Sequence, residues 1–366
     1  MIKILVISDS LDQSGSWWRS FGPFTHLRKN SGLNLLFMRM DQEDVKWTHV
    51  ADADIVFMHR PWTKLHKQIA RLCLDYETPI WLDIDDHLFK IPHDNKSYEQ
   101  YMDPEVQGDM ISMLVAAKVV TTTTVELKKV LDRFRPENDT VIIKNAFLET
   151  RWTGYRNVDT RPTPRRVLWR GGVHHERDLE HVTGDIIQVA NEYPGWEFWF
   201  VGKKPWKIIE ETENCVSVSG TDVTSYFKIL NQVRPDLTIC PLFDNIFNRC
   251  KSNIAALEGL MAGGIVLAPD WEEWQGIPGV INYKPHAFKY ELRRLIELCE
   301  TDAFKQLNAD GWGYICDSYK LEDQNKIRES AIEYLVNINQ DFKLTVAATN
   351  LRVYQSASGP VQESKR

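Results

Sequence analysis

The chain has 366 residues with 43% apolar and 26% charged content, enough for the cores of two ordinary domains and too hydrophobic for general disorder. A formal charge of −7 supplies no general positive field for nucleic acid, although four arginines within 161–170 leave room for a local basic patch. No apolar run approaches the roughly 20 residues of a membrane span, and the opening strand-length stretch lacks a signal peptide's core, so a cytoplasmic protein is expected.

Residues 2–8 read as a buried strand, followed by a loop over 9–18 that contains Gly15. A helix is predicted over 19–29, then strands over 33–38 and 51–57, the second ending at His59-Arg60-Pro61. A helix over 64–76 leads to a strand over 79–84 that runs into Asp83, Asp85 and Asp86. A helix over 104–117, a strand over 118–121, a Thr124-capped helix over 125–134 and a strand over 140–143 complete the first half. Repeated strand–helix order with strands lacking strict alternation predicts a mostly parallel sheet with helices on both faces.

The polar, proline-marked stretch 157–166 is the best linker, after which the pattern restarts. Strands are predicted over 166–169, 196–201, 216–218, 237–240, 265–268 and 280–283, with helices over 175–193, 224–233, 287–299 and 303–307. The fold class is therefore α/β, with two doubly wound, Rossmann-like domains facing a central cleft. The boundaries are 1–156 for the first domain, 157–166 for the linker and 167–320 for the second domain. A bracing helix is expected over 321–344, and the small, polar tail 345–366 is expected to be disordered.

The most informative stretch is 247–268. Lys251-Ser252-Asn253 precedes a helical segment containing Glu258, which stops at Gly263-Gly264 before an apolar strand. A cap by Ser252 or Asn253 would place unpaired amides and the positive end of the helix dipole beside the Lys251 ammonium, a corner suited to a diphosphate. The same residues also fit an ordinary capped helix with a surface lysine.

Ligands of open α/β sheets collect at the carboxyl ends of the strands. That rule selects Gly15, Arg19, His59, Arg60 and the Asp83–Asp86 segment in the first domain, and 170–175, 202–204, 220–222 and 247–258 in the second. Gly171 and Gly172 permit close phosphate approach or simply make a turn. Asp85 and Asp86 offer acceptor contacts, a base or structural support; a bound metal is not expected, because alternation along the strand disperses the carboxylates. The dinucleotide fingerprint, the P-loop, zinc-peptidase motifs and the serine-hydrolase elbow are absent.

Over residues 1–340 the chain resembles the GT-B glycosyltransferases, in particular the family 4-like group (glycosyl transferases group 1) with its bacterial and bacteriophage members. The segments carrying the resemblance are 247–268, Trp169-Arg170-Gly171-Gly172, Phe200-Val201-Gly202, 141–145 and 84–92. The resemblance implies a retaining enzyme that uses a nucleoside-diphosphate sugar, with a UDP-sugar favoured, no tightly bound cofactor and no required divalent metal. It further implies that the diphosphate meets Arg170, Lys251 and Ser252 beside Asn253, that Glu258 meets the ribose, and that Gly202, Asp222 and Val223 border the base. It also implies an acceptor hydroxyl of a glycan, lipid-linked saccharide or small molecule, with hydroxymethylated phage DNA as an alternative, which Asp85 or Asp86 orients or deprotonates unless the diphosphate itself takes the proton. An epimerase, a phosphorylase or a noncatalytic nucleotide-sugar-binding protein are the other readings. A phage-encoded member would act in the host cytoplasm. One departure stands out: the family's first of two glutamates seven residues apart falls at Cys250. The family's first-domain histidine has only His59 and His87 as candidates.

Overall fold

A computed structural model describes residues 1–9, 13–40, 46–148 and 163–357, with the side chains of all of these except residues 30 and 340–357. Among the described residues the strands form two parallel sheets of six. The first contains β1 (Lys3–Ser8), β2 (Asn34–Arg39), β3 (Ile55–His59), β4 (Ile80–Ile84), β5 (Val119–Thr122) and β6 (Val141–Ile142), in the order β2-β1-β3-β4-β5-β6. The second contains β7 (Arg165–Gly171), β8 (Trp196–Gly202), β9 (Cys215–Ser219), β10 (Leu237–Ile239), β11 (Ile265–Pro269) and β12 (Val280–Tyr283), in the order β12-β11-β10-β7-β8-β9. The central strands β3, β4 and β11 are buried along their whole length, which is why they are apolar but for His59 and Asp83.

Chain order reverses between β1 and β3 in the first sheet and between β7 and β10 in the second. Crevices open at such switch points. They lie beside Asp9 and Arg60 in one unit and beside Arg170 and Cys240 in the other.

Local chemistry sets the helices that flank these crevices. Thr63 caps Lys64–Asp75, accepting from His66 N at 3.2 Å, and Thr124 caps Val125–Leu131, accepting from Leu127 N at 3.2 Å. Asp103 does the same for Pro104–Ala116, where proline fits the first turn. The helix expected over 19–29 is instead a π-type turn, Trp17–Phe21, followed by Gly22–Ser31. The segment expected over 303–307 grows into the helix Asp302–Ser318. Gly311 and Gly313 argue against that length from sequence, yet a Cβ at 311 would lie 2.6 Å from the Pro278 carbonyl oxygen. Glycine is what lets this helix approach.

The final helix, Leu321–Ala357, crosses back to the first sheet. Ile332 and Leu335 pack with Phe24 and Leu27, and Asn325 Nδ2 donates to the Pro23 carbonyl at 3.3 Å. Where disorder was expected from 345, the backbone stays helical to Ala357, because neither glycine nor proline interrupts the sequence before Gly359. Residues 358–366 and linker residues 157–162 lie outside the described residues; β7 already begins at Arg165.

Candidate active site between the two sheets

The two switch points face one cleft of about 1130 Å³. Its first wall carries Asp9 after β1, Arg60 and Trp62 after β3, Asp85 and Asp86 after β4, and Tyr101. The second wall carries Arg170, Gly171 and Gly172 from β7, Gly202 at the end of β8, and Lys251, Ser252 and Glu258.

On the first wall Arg60 is the organising cation. Its guanidinium Nε pairs with Asp85 Oδ1, and Nη2 donates to Asp85 Oδ2 and Asp86 Oδ2, each at 2.8 Å. Arg60 adopts a left-handed backbone (φ 50), a conformation that costs a non-glycine residue on the order of 1–3 kcal/mol and marks a position fixed by its surroundings. Asp85 also meets His59 Nε2 at 3.1 Å. Burial acts to raise the Asp85 carboxyl, but Arg60 and then His59 outweigh it and hold it well below the usual carboxylate range. Asp85 is thus a locked anion and a poor proton acceptor. Asp9 differs: burial raises its carboxyl, and His59 and Arg60 offset that only in part.

Gly15 lines the cleft over this group, its missing Cβ lying 3.4 Å from His59 Cε1. His59 is buried behind Asp85 with Nδ1 3.4 Å from Ser8 Oγ, and neither it nor His87 lines the cleft.

Two of the residues selected from sequence do not line the cleft. Arg19 and Asp83 are fully buried and form a two-pronged pair at 2.9 and 2.7 Å. Arg19 Nη1 also donates to the Ile143 carbonyl at 2.6 Å and to Asn145 Oδ1 at 3.2 Å. The pair therefore ties β4 to the chain after β6, a structural clamp that periodicity cannot separate from a ligand site.

On the second wall Arg170 Nε lies 2.8 Å from Glu258 Oε2, and Tyr226 Oη donates to the same oxygen at 2.8 Å. Burial alone would lower the Arg170 guanidinium, but Glu258 and then Tyr226 raise it. Tyr226 was not selected from sequence; its only signal is a place on the helix after Asp222, one turn inside the cap. Gly202 has φ 113, and a Cβ there would lie 2.2 Å from the Gly171 carbonyl oxygen, so only glycine fits where β7 and β8 end together.

Asp222 proves to be a helix cap. Its Oδ1 accepts from Thr224 N and Ser225 N at 2.9 and 3.0 Å, and the hydrogen bonds from Ser225 lead in lowering its carboxyl to about 2. Val223 beside it is buried and lines the cleft.

The capping expected at Ile254–Met261 is corrected. Asn253 occupies the cap position, but its side chain makes no cap bond and donates instead to Tyr319 Oη at 2.6 Å and to the Glu273 carbonyl at 3.2 Å. Ser252 Oγ accepts from Asn145 Nδ2 at 2.9 Å. No side chain caps the helix, and its first residues Ile254 and Ala255 line the cleft. Lys251 Nζ stands there, 3.4 Å from Asp86 Oδ1 and 4.6 Å from the Phe247 ring centre.

The loop before that helix also joins the two units. Phe247 and Cys250 pack into the apolar core of the first unit, and the Cys250 carbonyl accepts from Thr124 Oγ1 at 3.0 Å. Burial pushes the Cys250 thiol up to about 12. The position where the resemblance calls for a glutamate is therefore an apolar contact between units. Arg177 pairs with Asp94 in a second bridge across the cleft.

Among the described residues no three His, Cys, Asp or Glu side chains converge as a metal site, and no helix is long and apolar enough to cross a membrane.

No family model matches the chain, and no curated protein matches it in sequence. Its similarity lies in the fold. An alpha-glucosyltransferase solved in complex with UDP and a 13-mer DNA containing a HMU base matches with TM-score 0.66 at 10% identity, covering 91% of this chain and 99% of that chain. A glycosyltransferase from Rickettsia africae ESF-5 matches with TM-score 0.64 at 11% identity, over 92% of this chain and 98% of that chain. A UDP-GlcNAc 2-epimerase from Neisseria meningitidis, bound to UDP-GlcNAc, matches with TM-score 0.53 at 10% identity, over 91% and 100% of the respective chains. The fold is thus GT-B, two Rossmann-like units around a cleft, as the sequence resemblance implied.

Proposed function

We propose that the protein is a glycosyltransferase that moves a sugar from a nucleoside-diphosphate sugar, a UDP-sugar foremost, to an acceptor hydroxyl with retention at the anomeric carbon. One observation carries the reading: Arg170, Lys251 and the uncapped start of the Ile254–Met261 helix converge on one wall of the cleft. Two cations and a row of open amides are a seat for a diphosphate, and they stabilise the charge that develops when the sugar–phosphate bond breaks. We assign that charge to these groups rather than to a divalent ion, so activity persists in a metal chelator.

The remaining site residues follow from this seat. Gly171, Gly172 and Gly202 give the backbone room beside the phosphates, with the Ser252 hydroxyl and the Asn253 backbone adjoining. Glu258 takes the ribose through Oε1, its Oε2 being held by Tyr226 and Arg170. Val223 and the Asp222-capped helix border the base, and Gly15 borders the acceptor side. Asp86, facing Lys251, orients the acceptor, while Asp85 holds Arg60. Contacts across the cleft at Cys250, Ser252 and Asp86 support a closed state that excludes water, which competes for the activated sugar.

Among the described residues the acceptor wall sets Asp9, Asp85 and Asp86 against one cleft-lining cation, Arg60, and it adds the rings of Trp62 and Tyr101. This favours an uncharged hydroxylic acceptor, a glycan, lipid-linked saccharide or small molecule. The second reading is hydroxymethylated pyrimidine in DNA, favoured by the DNA-bound structural neighbour. All six cysteines are free, the state a reducing cytoplasm maintains, and we place the activity there, or in the host cytoplasm if phage-encoded.

Thermal shift with nucleoside diphosphates, followed by turnover of the stabilising sugar nucleotide with saccharide and hydroxymethyl-DNA acceptors, tests the reading. Stabilisation by a diphosphate and transfer to an acceptor support it. Donor binding with release of an altered free sugar and no transfer points to an epimerase instead, as in the neighbour that carries that name.

A further inference from the structure

Among the described residues three carboxylates line the first wall of the cleft, and two are already committed. Asp85 is held by Arg60 and His59, and Asp86 by Arg60 and Lys251. Asp9 is the third. It follows β1 at the point where strand order reverses, lines the cleft, and stands near Trp62 and Tyr101. A group there sits at a strand end and opens directly on the cavity.

We propose that Asp9 is a catalytic residue that binds the acceptor hydroxyl and takes its proton during transfer. The inference rests on the glycosyltransferase reading and deepens it. In the step, the acceptor O–H proton passes to an Asp9 carboxylate oxygen while the acceptor oxygen bonds to the anomeric carbon on the face that the diphosphate leaves, as retention requires. The bond from that carbon to the diphosphate oxygen breaks, and its electron pair leaves with the nucleotide. Asp9 then returns the proton to water.

The surroundings of Asp9 suit this role. His59 and Arg60 face it from β3, Asp85 from β4 and Tyr101 from the Tyr98–Tyr101 helix, while Lys251 lies across the cleft. Burial dominates over the cations and raises its carboxyl, so it is a stronger proton acceptor than its locked neighbour Asp85.

The test uses the full chain, Asp9→Asn and Asp9→Glu. UDP binding is measured by calorimetry. Turnover of whichever of UDP-glucose, UDP-galactose and UDP-GlcNAc the unaltered protein consumes fastest is followed from pH 4 to 9 by UDP release, with water alone and with saccharide and hydroxymethyl-DNA acceptors. We expect Asp9→Asn to bind UDP within twofold of the unaltered chain and to lose about 100-fold or more in kcat. The acid limb of the pH profile should vanish with it, and Asp9→Glu should restore part of the rate. The neutral amide should also leave the melting temperature at pH 7 unchanged or higher, because the charged form is the one burial penalises. An Asp9→Asn variant that keeps kcat within threefold, or keeps the acid limb, overturns the assignment. So does a lower melting temperature with proportional loss of UDP binding, the mark of a structural ion pair. Failure of the unaltered chain to bind UDP removes the underlying reading, a result distinct from unchanged turnover in Asp9→Asn.

Discussion

Lys251 Nζ stands 3.4 Å from Asp86 Oδ1, so the cation assigned to the donor and a carboxylate assigned to the acceptor meet across the cleft. Both side chains are partly exposed, at 15% and 20%, so the pair is a modest contact that an entering diphosphate can displace. Asp86→Asn removes the competitor for Lys251. We expect UDP to bind that variant up to about fivefold more tightly, the range of a partly exposed ion pair. Calorimetry checks this, and weaker binding would count against a competition between Asp86 and the diphosphate.

Glu258 neutralises Arg170 and is itself held by the Tyr226 hydroxyl. Glu258→Ala leaves a largely buried guanidinium unpaired, and we expect a loss of about 3 kcal/mol in unfolding free energy. Tyr226→Phe removes one hydrogen bond to a charged group and should cost about 1–2 kcal/mol. Urea titration separates the two. Equal costs would mean that the triad is not built around the carboxylate.

Cys250 lies in the apolar core of the first unit. Restoring the glutamate that the resemblance calls for at this position should therefore weaken the protein. Cys250→Glu buries a carboxylate among aliphatic side chains and should cost several kcal/mol with no gain in donor affinity. A stable variant with tighter sugar-nucleotide binding would show that the loop turns this side chain toward the donor.

His66 is fully buried, and that burial lowers its imidazole to about 3. The folded chain keeps it neutral, whereas the unfolded chain protonates it near pH 6.5, so unfolding takes up a proton. Its contribution to stability is complete above about pH 6.5 and is progressively lost as pH falls toward 3. At pH 5 the loss is about 2 kcal/mol, from roughly 1.5 pH units at 1.36 kcal/mol each. Denaturant titrations at pH 7 and pH 5 should show it, and His66→Asn should flatten the difference.

The strands were legible because central parallel strands are buried on both faces, and the apolar run 265–268 marks one of them to within a residue. Helices were less so where glycine served packing, as at Gly311, or where no breaker ended the run, as beyond residue 344. Within the cleft, strand-end position found Arg170, Gly202, Asp85 and Asp86. It also returned Arg19 and Asp83, because a buried clamp and a ligand contact occupy the same place in sequence. The sequence offers Ser252 or Asn253 as the cap, and both side chains turn elsewhere, Ser252 to Asn145 and Asn253 to Tyr319, a partner 66 positions away. Tyr226 and Asp9 were passed over although one follows the Asp222 cap and the other follows β1, because their significance comes from partners on other elements.

The central claim is a diphosphate seat made by Arg170, Lys251 and the start of the Ile254–Met261 helix. Calorimetric titration of UDP and of UMP into the unaltered chain and Lys251→Ala tests it most directly. We expect the variant to lose about 10- to 100-fold in UDP affinity, the value of a charged hydrogen bond or two, with a much smaller change for UMP. Equal UDP affinity in the two proteins, or an equal loss for UMP, would contradict it.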